Sequence, residues 1–204
     1  GKEEKYVNES KLVWQMKSGD REALDELYRI YCKPLLRTVY LMLGNRSDAE
    51  DVVQDTFVKV FMHSKELKKE EGFRSWLYQI ATRTAWEFGR KRNREITDEE
   101  VVIKADEHFQ TEGKTIFGMT EQEETINLLI RQEENEALWR AIDGLEQKQK
   151  ITVILYYYSE FSTGEIARIT GTLEGTVKSR LFTARKNLKV HLQKDGIKKR
   201  RRVV

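Results

Sequence analysis

Leu173, Val177, Leu181, Ala184 and Leu188 recur at spacings of four and three, the repeat of one buried stripe on a helix. The opposite side of that stretch carries Lys178, Ser179, Phe182, Thr183, Arg185, Lys186 and Lys189. Just upstream, Ile166, Ala167 and Ile169 give a shorter helix its apolar side, and Ser162 with Glu165 opens it as a capping box. Gly171 ends this helix, because glycine takes the left-handed C′ conformation cheaply. Thr172 is placed to cap the next one. The pattern therefore predicts two helices around a tight turn. Cations, hydroxyls and one aromatic on the second helix suit entry into a DNA major groove. The plainer alternative is a helical hairpin with a solvated basic face.

The same reading extends to the rest of the chain. Residues 9–18 predict a short amphipathic helix that Gly19 ends. Asp20 is placed to cap the following helix, whose apolar side is Ala23, Leu24, Leu27, Tyr28, Ile30 and Tyr31. Pro34 is expected to break or kink it, since proline lacks an N–H and clashes one turn back. Helix then continues to Gly44. Ser47 and Glu50 form a second capping box, followed by an inner face of Val52, Val53, Phe57, Val60 and Phe61. Asp48, Asp51 and Asp55, at i, i+3 and i+7, share the outer face. A polar loop over residues 62–73 carries Lys65, Lys68 and Lys69. In the helix beyond it, Phe73, Trp76, Leu77, Ile80, Ala81 and Ala85 face inward, while Arg74, Tyr78, Arg83, Trp86 and Arg90 interleave cations with aromatics.

Residues 95–128 are acidic and weakly periodic, the pattern of a flexible linker. Helix resumes from Leu129, with Leu138, Trp139 and Ile142 inside. Ile151 to Tyr158 favours strand by local propensity. It leads directly into the helix-turn-helix, however, and is assigned to helix on the ground that tertiary burial overrides propensity. The expected fold class is all-α: two small helical domains, residues 1–94 and 129–194, joined by the acidic linker 95–128, with a mobile basic tail over 195–204.

Composition narrows the function classes. Of 204 residues 39% are hydrophobic and 35% charged, which is lean for one large core but adequate for two small domains. Cys32 is the only cysteine and the three histidines lie far apart, so neither a disulfide within the chain nor a cysteine-rich or histidine-spaced zinc site is expected. Cys32 itself reads as a small core residue. No leader and no apolar run of about 18 residues is visible, which points to a cytoplasmic setting. The net charge of +3 is sorted along the chain: +4 over residues 1–94, −10 over 95–136 and +9 over 137–204. Two cationic blocks separated by an acidic one suggest two nucleic-acid contacts and a spacer.

The aspartate face on the third helix admits three readings: a metal site, compensation of the helix dipole, or a docking face for a basic partner. Three exposed carboxylates on one helix are too few for a two-metal nuclease. Dipole compensation is a sound ordinary explanation. The aromatic-basic helix that follows suits unpaired nucleic acid, where bases stack on rings and cations follow phosphates. Aromatics at those positions also serve as ordinary core residues.

The succession DAEDVVQDTFVKVF, FRSWLYQIATRTAWEFGRKRNR, a linker, and GEIARITGTLEGTVKSRLFTARKNL resembles bacterial RNA polymerase sigma factors of the extracytoplasmic-function group. The resemblance covers about residues 9–94 and 130–192 and implies the family's regions two and four. It implies that Asp48, Glu50, Asp51, Gln54 and Asp55 dock on the clamp helices of the polymerase largest subunit. It places −10 melting and recognition on Lys68, Lys69, Phe73, Arg74, Trp76, Tyr78, Arg83 and Arg90. It gives base reading at the −35 element to Lys178, Ser179, Phe182 and Thr183, and phosphate contact to Arg180, Arg185 and Lys186. Region four is further expected to meet the flap of the second-largest subunit, and an anti-sigma factor to mask these surfaces. No cofactor, metal or catalytic site is implied. The chain departs from the family pattern at Thr172–Leu173 and at Leu145–Glu146, where many relatives have proline, and at Thr84, where many have asparagine.

Overall fold

The computed structural model describes residues 2–98 and 133–201, with side chains over 9–90 and 138–192. All of the regular structure among these residues is helical. The helices are α1 (Lys2–Lys17), α2 (Arg21–Leu43), α3 (Arg46–Met62), α4 (Phe73–Asp98), α5 (Glu133–Asp143), α6 (Gln147–Val153), α7 (Thr163–Thr170) and α8 (Glu174–Arg201). Two short 3-10 turns, Ser64–Glu66 and Glu70–Gly72, lie between α3 and α4. A π-helical turn, Ile154–Tyr158, continues α6. The expected linker over 95–128 begins inside α4, and its residues 99–128 lie outside the described residues.

Local chemistry explains several helix ends. The Asp20 carboxylate accepts from the backbone N–H groups of Glu22 and Ala23, satisfying two of the four donors that a helix start leaves orphaned. Gly44 closes α2 in the left-handed region at φ 72°, its N–H bonded to the Tyr40 carbonyl. Pro34 does not break the helix: α2 runs continuously through it. Its ring lies at the exposed side, while Tyr31, Leu35 and Val39 anchor the buried side through the missing bond. The cap of α3 is Asn45, whose side chain accepts from Asp48 N–H; Ser47 falls inside the first turn. The Ile154–Tyr158 stretch is helical in spite of its strand propensity, with Ile154 and Leu155 buried.

The N-terminal helices form a bundle in which α2 packs on α1, α3 and α4, and α3 packs on α4. Lys17 ties α1 to the loop before α4, donating to the Leu67 carbonyl at 2.8 Å and to Glu70 at 2.7 Å. This bond from Lys17 is the main reason Glu70 stays below the usual carboxylate range. In the C-terminal part, α8 packs against α5, α6 and α7. The two parts are not separate beads. One buried cluster runs from Val13 and Leu27 through Leu77 and Tyr78 to Phe161, Ile166 and Leu181, and α4 packs directly on α7.

Two side chains expected inside are not. Leu173 is 79% exposed, because α8 begins only at Glu174; Val177, Leu181 and Ala184 carry the buried stripe, with Leu188 half-buried. Leu138 lies at the surface, while Ala141, Ile142 and Leu145 are buried. The tail expected to be mobile is helical as far as Arg201.

Candidate nucleic-acid interface

The helix-turn-helix forms as its residues dictate. Ser162 accepts from Glu165 N–H, and the Glu165 carboxylate accepts from Ser162 N–H at 2.9 Å, a complete capping box. Gly171 ends α7 at φ 64°, with its N–H directed to the Ala167 and Arg168 carbonyls. Thr172 does not cap the next helix; its hydroxyl lies 3.0 Å from that of Thr170, and its N–H bonds the Ala167 carbonyl.

On α8 two exposed rows run beside each other: Lys178, Phe182 and Arg185, and Ser179, Thr183 and Lys186, each at i, i+4 and i+7. Phe182 is 71% exposed, although a ring of that size ordinarily seeks burial. Arg180 is half-buried at the edge. All seven expected −35 residues are thus on one helix, and six of them are exposed. Their support includes residues that the helical periodicity does not single out. Tyr157, in the π-helical turn, accepts from Arg185 Nε at 2.7 Å, and the Arg185 guanidinium lies 5.7 Å from its ring centroid. Glu174 accepts from Thr163 Oγ1 at 2.7 Å and pairs with Lys178 Nζ at 2.9 Å. The i, i+4 spacing of Glu174 and Lys178 is a signal visible in the sequence; the partnership with Thr163, from the preceding helix, is not.

The expected −10 residues divide among three places. Lys68 and Lys69 are exposed on the loop that Lys17 fastens. Arg83 and Arg90 share an exposed face of α4 with Trp86, whose ring lies 4.7 Å below the Arg90 guanidinium. This face has the cation-and-ring composition that holds unpaired bases. Phe73, Arg74, Trp76 and Tyr78 lie elsewhere. Phe73 is fully buried, edge-on to Tyr31 and beside half-buried Trp76, which makes it a core residue. Tyr78 is only 3% exposed and meets Phe161 edge-on at 4.8 Å, and burial pushes its phenol up. Arg74 donates to the Ser159 carbonyl, with its guanidinium 4.0 Å from the Phe161 centroid. Thr84, at the family's asparagine position, is buried and accepts from Lys59 Nζ at 3.0 Å.

On α3, Asp51, Gln54 and Asp55 are exposed, and Asp48 and Glu50 are half-exposed, Glu50 being paired with Arg46 at 2.9 Å. Val58 and Met62 lie exposed on the same helix, so the acidic face adjoins apolar surface. Among the described residues no three His, Cys, Asp or Glu side chains gather as a metal site.

Residues 27–95 match the family model of sigma-70 region 2, and residues 135–188 match that of sigma-70 region 4; between them they account for more than half of the chain. The chain belongs to the sigma-70 family. It is a sigma factor of the extracytoplasmic-function group. It is 28% identical over 186 residues to the ECF RNA polymerase sigma factor SigW of Bacillus subtilis (strain 168), covering 90% of this chain and 96% of that one. With the ECF RNA polymerase sigma-E factor of Escherichia coli (strain K12) it shares 29% identity over 176 residues, 85% of this chain and 88% of that one. The fold resembles CnrH, solved in complex with the cytosolic domain of CnrY, at a TM-score of 0.65 and 20% identity, covering 92% of this sigma factor and 98% of that chain. It also resembles the sigma factor RpoE of Bartonella quintana, solved with the anti-sigma factor NepR, at a TM-score of 0.62 and 24% identity, covering 83% and 96%. Within the described residues of this sigma factor no helix is long and apolar enough to cross a membrane.

Proposed function

We propose that this sigma factor binds core RNA polymerase and directs initiation at promoters chosen by their −10 and −35 elements. Its mechanism is recruitment and strand capture, without covalent catalysis. The observation that carries the reading is the exposed double row on α8, on a helix-turn-helix, in a chain that also holds an acid-faced α3. Lys178, Ser179, Phe182 and Thr183 read base edges at the −35 element, and Arg180, Arg185 and Lys186 hold phosphates. Asp48, Glu50, Asp51, Gln54 and Asp55 dock on the basic clamp helices of the largest subunit, and region 4 meets the flap of the second-largest. The Arg83–Trp86–Arg90 face, with Lys68 and Lys69, takes the opened −10 strand.

Arg74 and Tyr78 join that contact only if Phe161 and Ser159 withdraw, so the closed packing of region 4 on region 2 is the unengaged form. Each region reads half of a promoter, and the linker raises the effective concentration of the second grip once the first is seated. An anti-sigma factor that masks these surfaces regulates the protein; its structural neighbour RpoE of Bartonella quintana was solved with one, NepR. The setting is the cytoplasm, where polymerase and promoter DNA are. The test is run-off transcription with core polymerase on a genomic promoter library. Shared −10 and −35 sequences upstream of the start sites are expected. Transcripts without promoter preference, or metal-dependent cleavage of the template, would overturn the reading.

A further inference from the structure

Lys178 does not face the groove as a lone cation. It leaves α8 one turn after Glu174, and the two side chains pair at 2.9 Å. Glu174 opens the helix, in the turn that an HTH recognition helix pushes deepest into a major groove. Its Oε1 takes both the Lys178 ammonium and the Thr163 hydroxyl, which comes from the first residue of α7. A carboxylate at a helix start has an ordinary explanation in the dipole, and an i, i+4 pair has one in helix stability. Neither explains a second anchor, from the preceding helix. Thr163 holds Glu174 by a hydrogen bond from outside α8, and Glu174 in turn pairs with Lys178. The bonds from Lys178 and Thr163 also keep Glu174 below the usual carboxylate range, so it is an acceptor throughout neutral pH.

Fixed side by side, an acceptor-only carboxylate and a donor-only ammonium complement the major-groove edge of one G·C pair. The cytosine N4 amino group donates, and guanine O6 and N7 accept. Against a phosphate the carboxylate is repulsive. The pair therefore lowers general affinity for DNA while sharpening the choice of base. We propose that Glu174, held by Thr163, is a specificity-determining residue that reads cytosine in the −35 element while Lys178 reads the guanine paired with it.

This inference rests on the −35 role of α8, and its test separates the two. Holoenzyme assembled from core polymerase and the full-length chain is selected against a library randomised over the −35 element. The unaltered protein is expected to enrich a G·C pair at one position. In Glu174→Ala the preference at that position is expected to fall about fivefold or more, with the other positions unchanged. Binding to unrelated duplex is expected to rise and to show a steeper salt dependence. Thr163→Val, which keeps the side-chain shape, is expected to weaken the same preference in part. Lys178→Met should flatten the same position, and adding Glu174→Ala to it should change little more. Circular dichroism checks that each variant keeps its helices. Equal enrichment profiles for Glu174→Ala and the unaltered protein, or a uniform change at every −35 position, would overturn the inference and leave Glu174 as helix-start charge. If the unaltered holoenzyme enriches no −35 sequence at all, the −35 role itself fails.

Discussion

The Arg74 guanidinium lies over the ring of Phe161 at 4.0 Å and donates to the carbonyl of Ser159. These residues belong to different matched regions, and the contact fastens α4 to the segment that leads into the helix-turn-helix. Tyr78 meets the same ring edge-on, and the hydroxyls of Thr38 and Ser159 lie 3.0 Å apart in a buried position. A cation over a ring, an aromatic pair and buried hydrogen bonds are each worth about 0.5–2 kcal/mol. They add to the buried apolar cluster that runs through both regions.

Arg74→Ala removes both the cation over Phe161 and the donor to Ser159. It is expected to weaken closure by about 1–3 kcal/mol while leaving each bundle folded. Fluorophores on Lys11 and Lys189, both exposed, report the distance between the regions. A longer, broader distribution is expected for Arg74→Ala. An unchanged distribution would mean that the shared apolar core alone keeps the regions together.

Reversing Asp51 and Asp55 to lysine tests the docking face. Both are exposed on α3, opposite buried Val52, Val53 and Val60, so the far-ultraviolet helical signal should persist. Core polymerase should no longer be retained in a pull-down. Retained core binding would leave these carboxylates as solvated surface charge, since both lie beyond the first turn of α3.

Where a signal is local, the sequence carries it. The capping box of Ser162 and Glu165, the left-handed Gly171 and the stripe Val177, Leu181, Ala184 are each set by neighbours within one or two turns. The acidic row on α3 and the double row on α8 follow from helical spacing in the same way. What escapes is set by distant packing. Tyr78 reads as a stacking ring by composition, but its fate is decided by Phe161, far along the chain. Asn45 displaces Ser47 as the α3 cap by a shift of two residues, and Leu173 turns outward because its helix starts one residue later. Pro34 shows the converse: a strong local breaker is overruled by the burial of Tyr31 and Leu35 on the other side of the same helix.

Glu165 provides a pH test. Burial opposes its charge, but hydrogen bonds from the Ser162 backbone and hydroxyl, with Arg74 and Arg168 nearby, hold it below the usual carboxylate range. A carboxylate so depressed adds stability above its unfolded value of about 4.3, and that stability fades as pH falls through the lower folded value. Glu165→Gln should therefore melt below the unaltered chain at pH 7, and the gap should close as the acid limit is approached. A gap independent of pH would show that the charge of Glu165 is immaterial. Ser162→Ala removes the other half of the box and is expected to cost about 1 kcal/mol at neutral pH.

Phe182 separates reading from folding most cleanly. A ring 71% exposed on α8 contributes little to the core, so Phe182→Ala should change stability by no more than about 0.5 kcal/mol. If the ring packs on a thymine methyl in the groove, the same change should weaken binding of holoenzyme to the preferred −35 sequence by about 1–3 kcal/mol and relax the choice at one base pair. Thermal melting and gel-shift titration on matched and single-mismatch promoters supply the two measurements. Equal weakening on every sequence would make Phe182 a general contact. A large loss of thermal stability would make it structural, in conflict with its exposure.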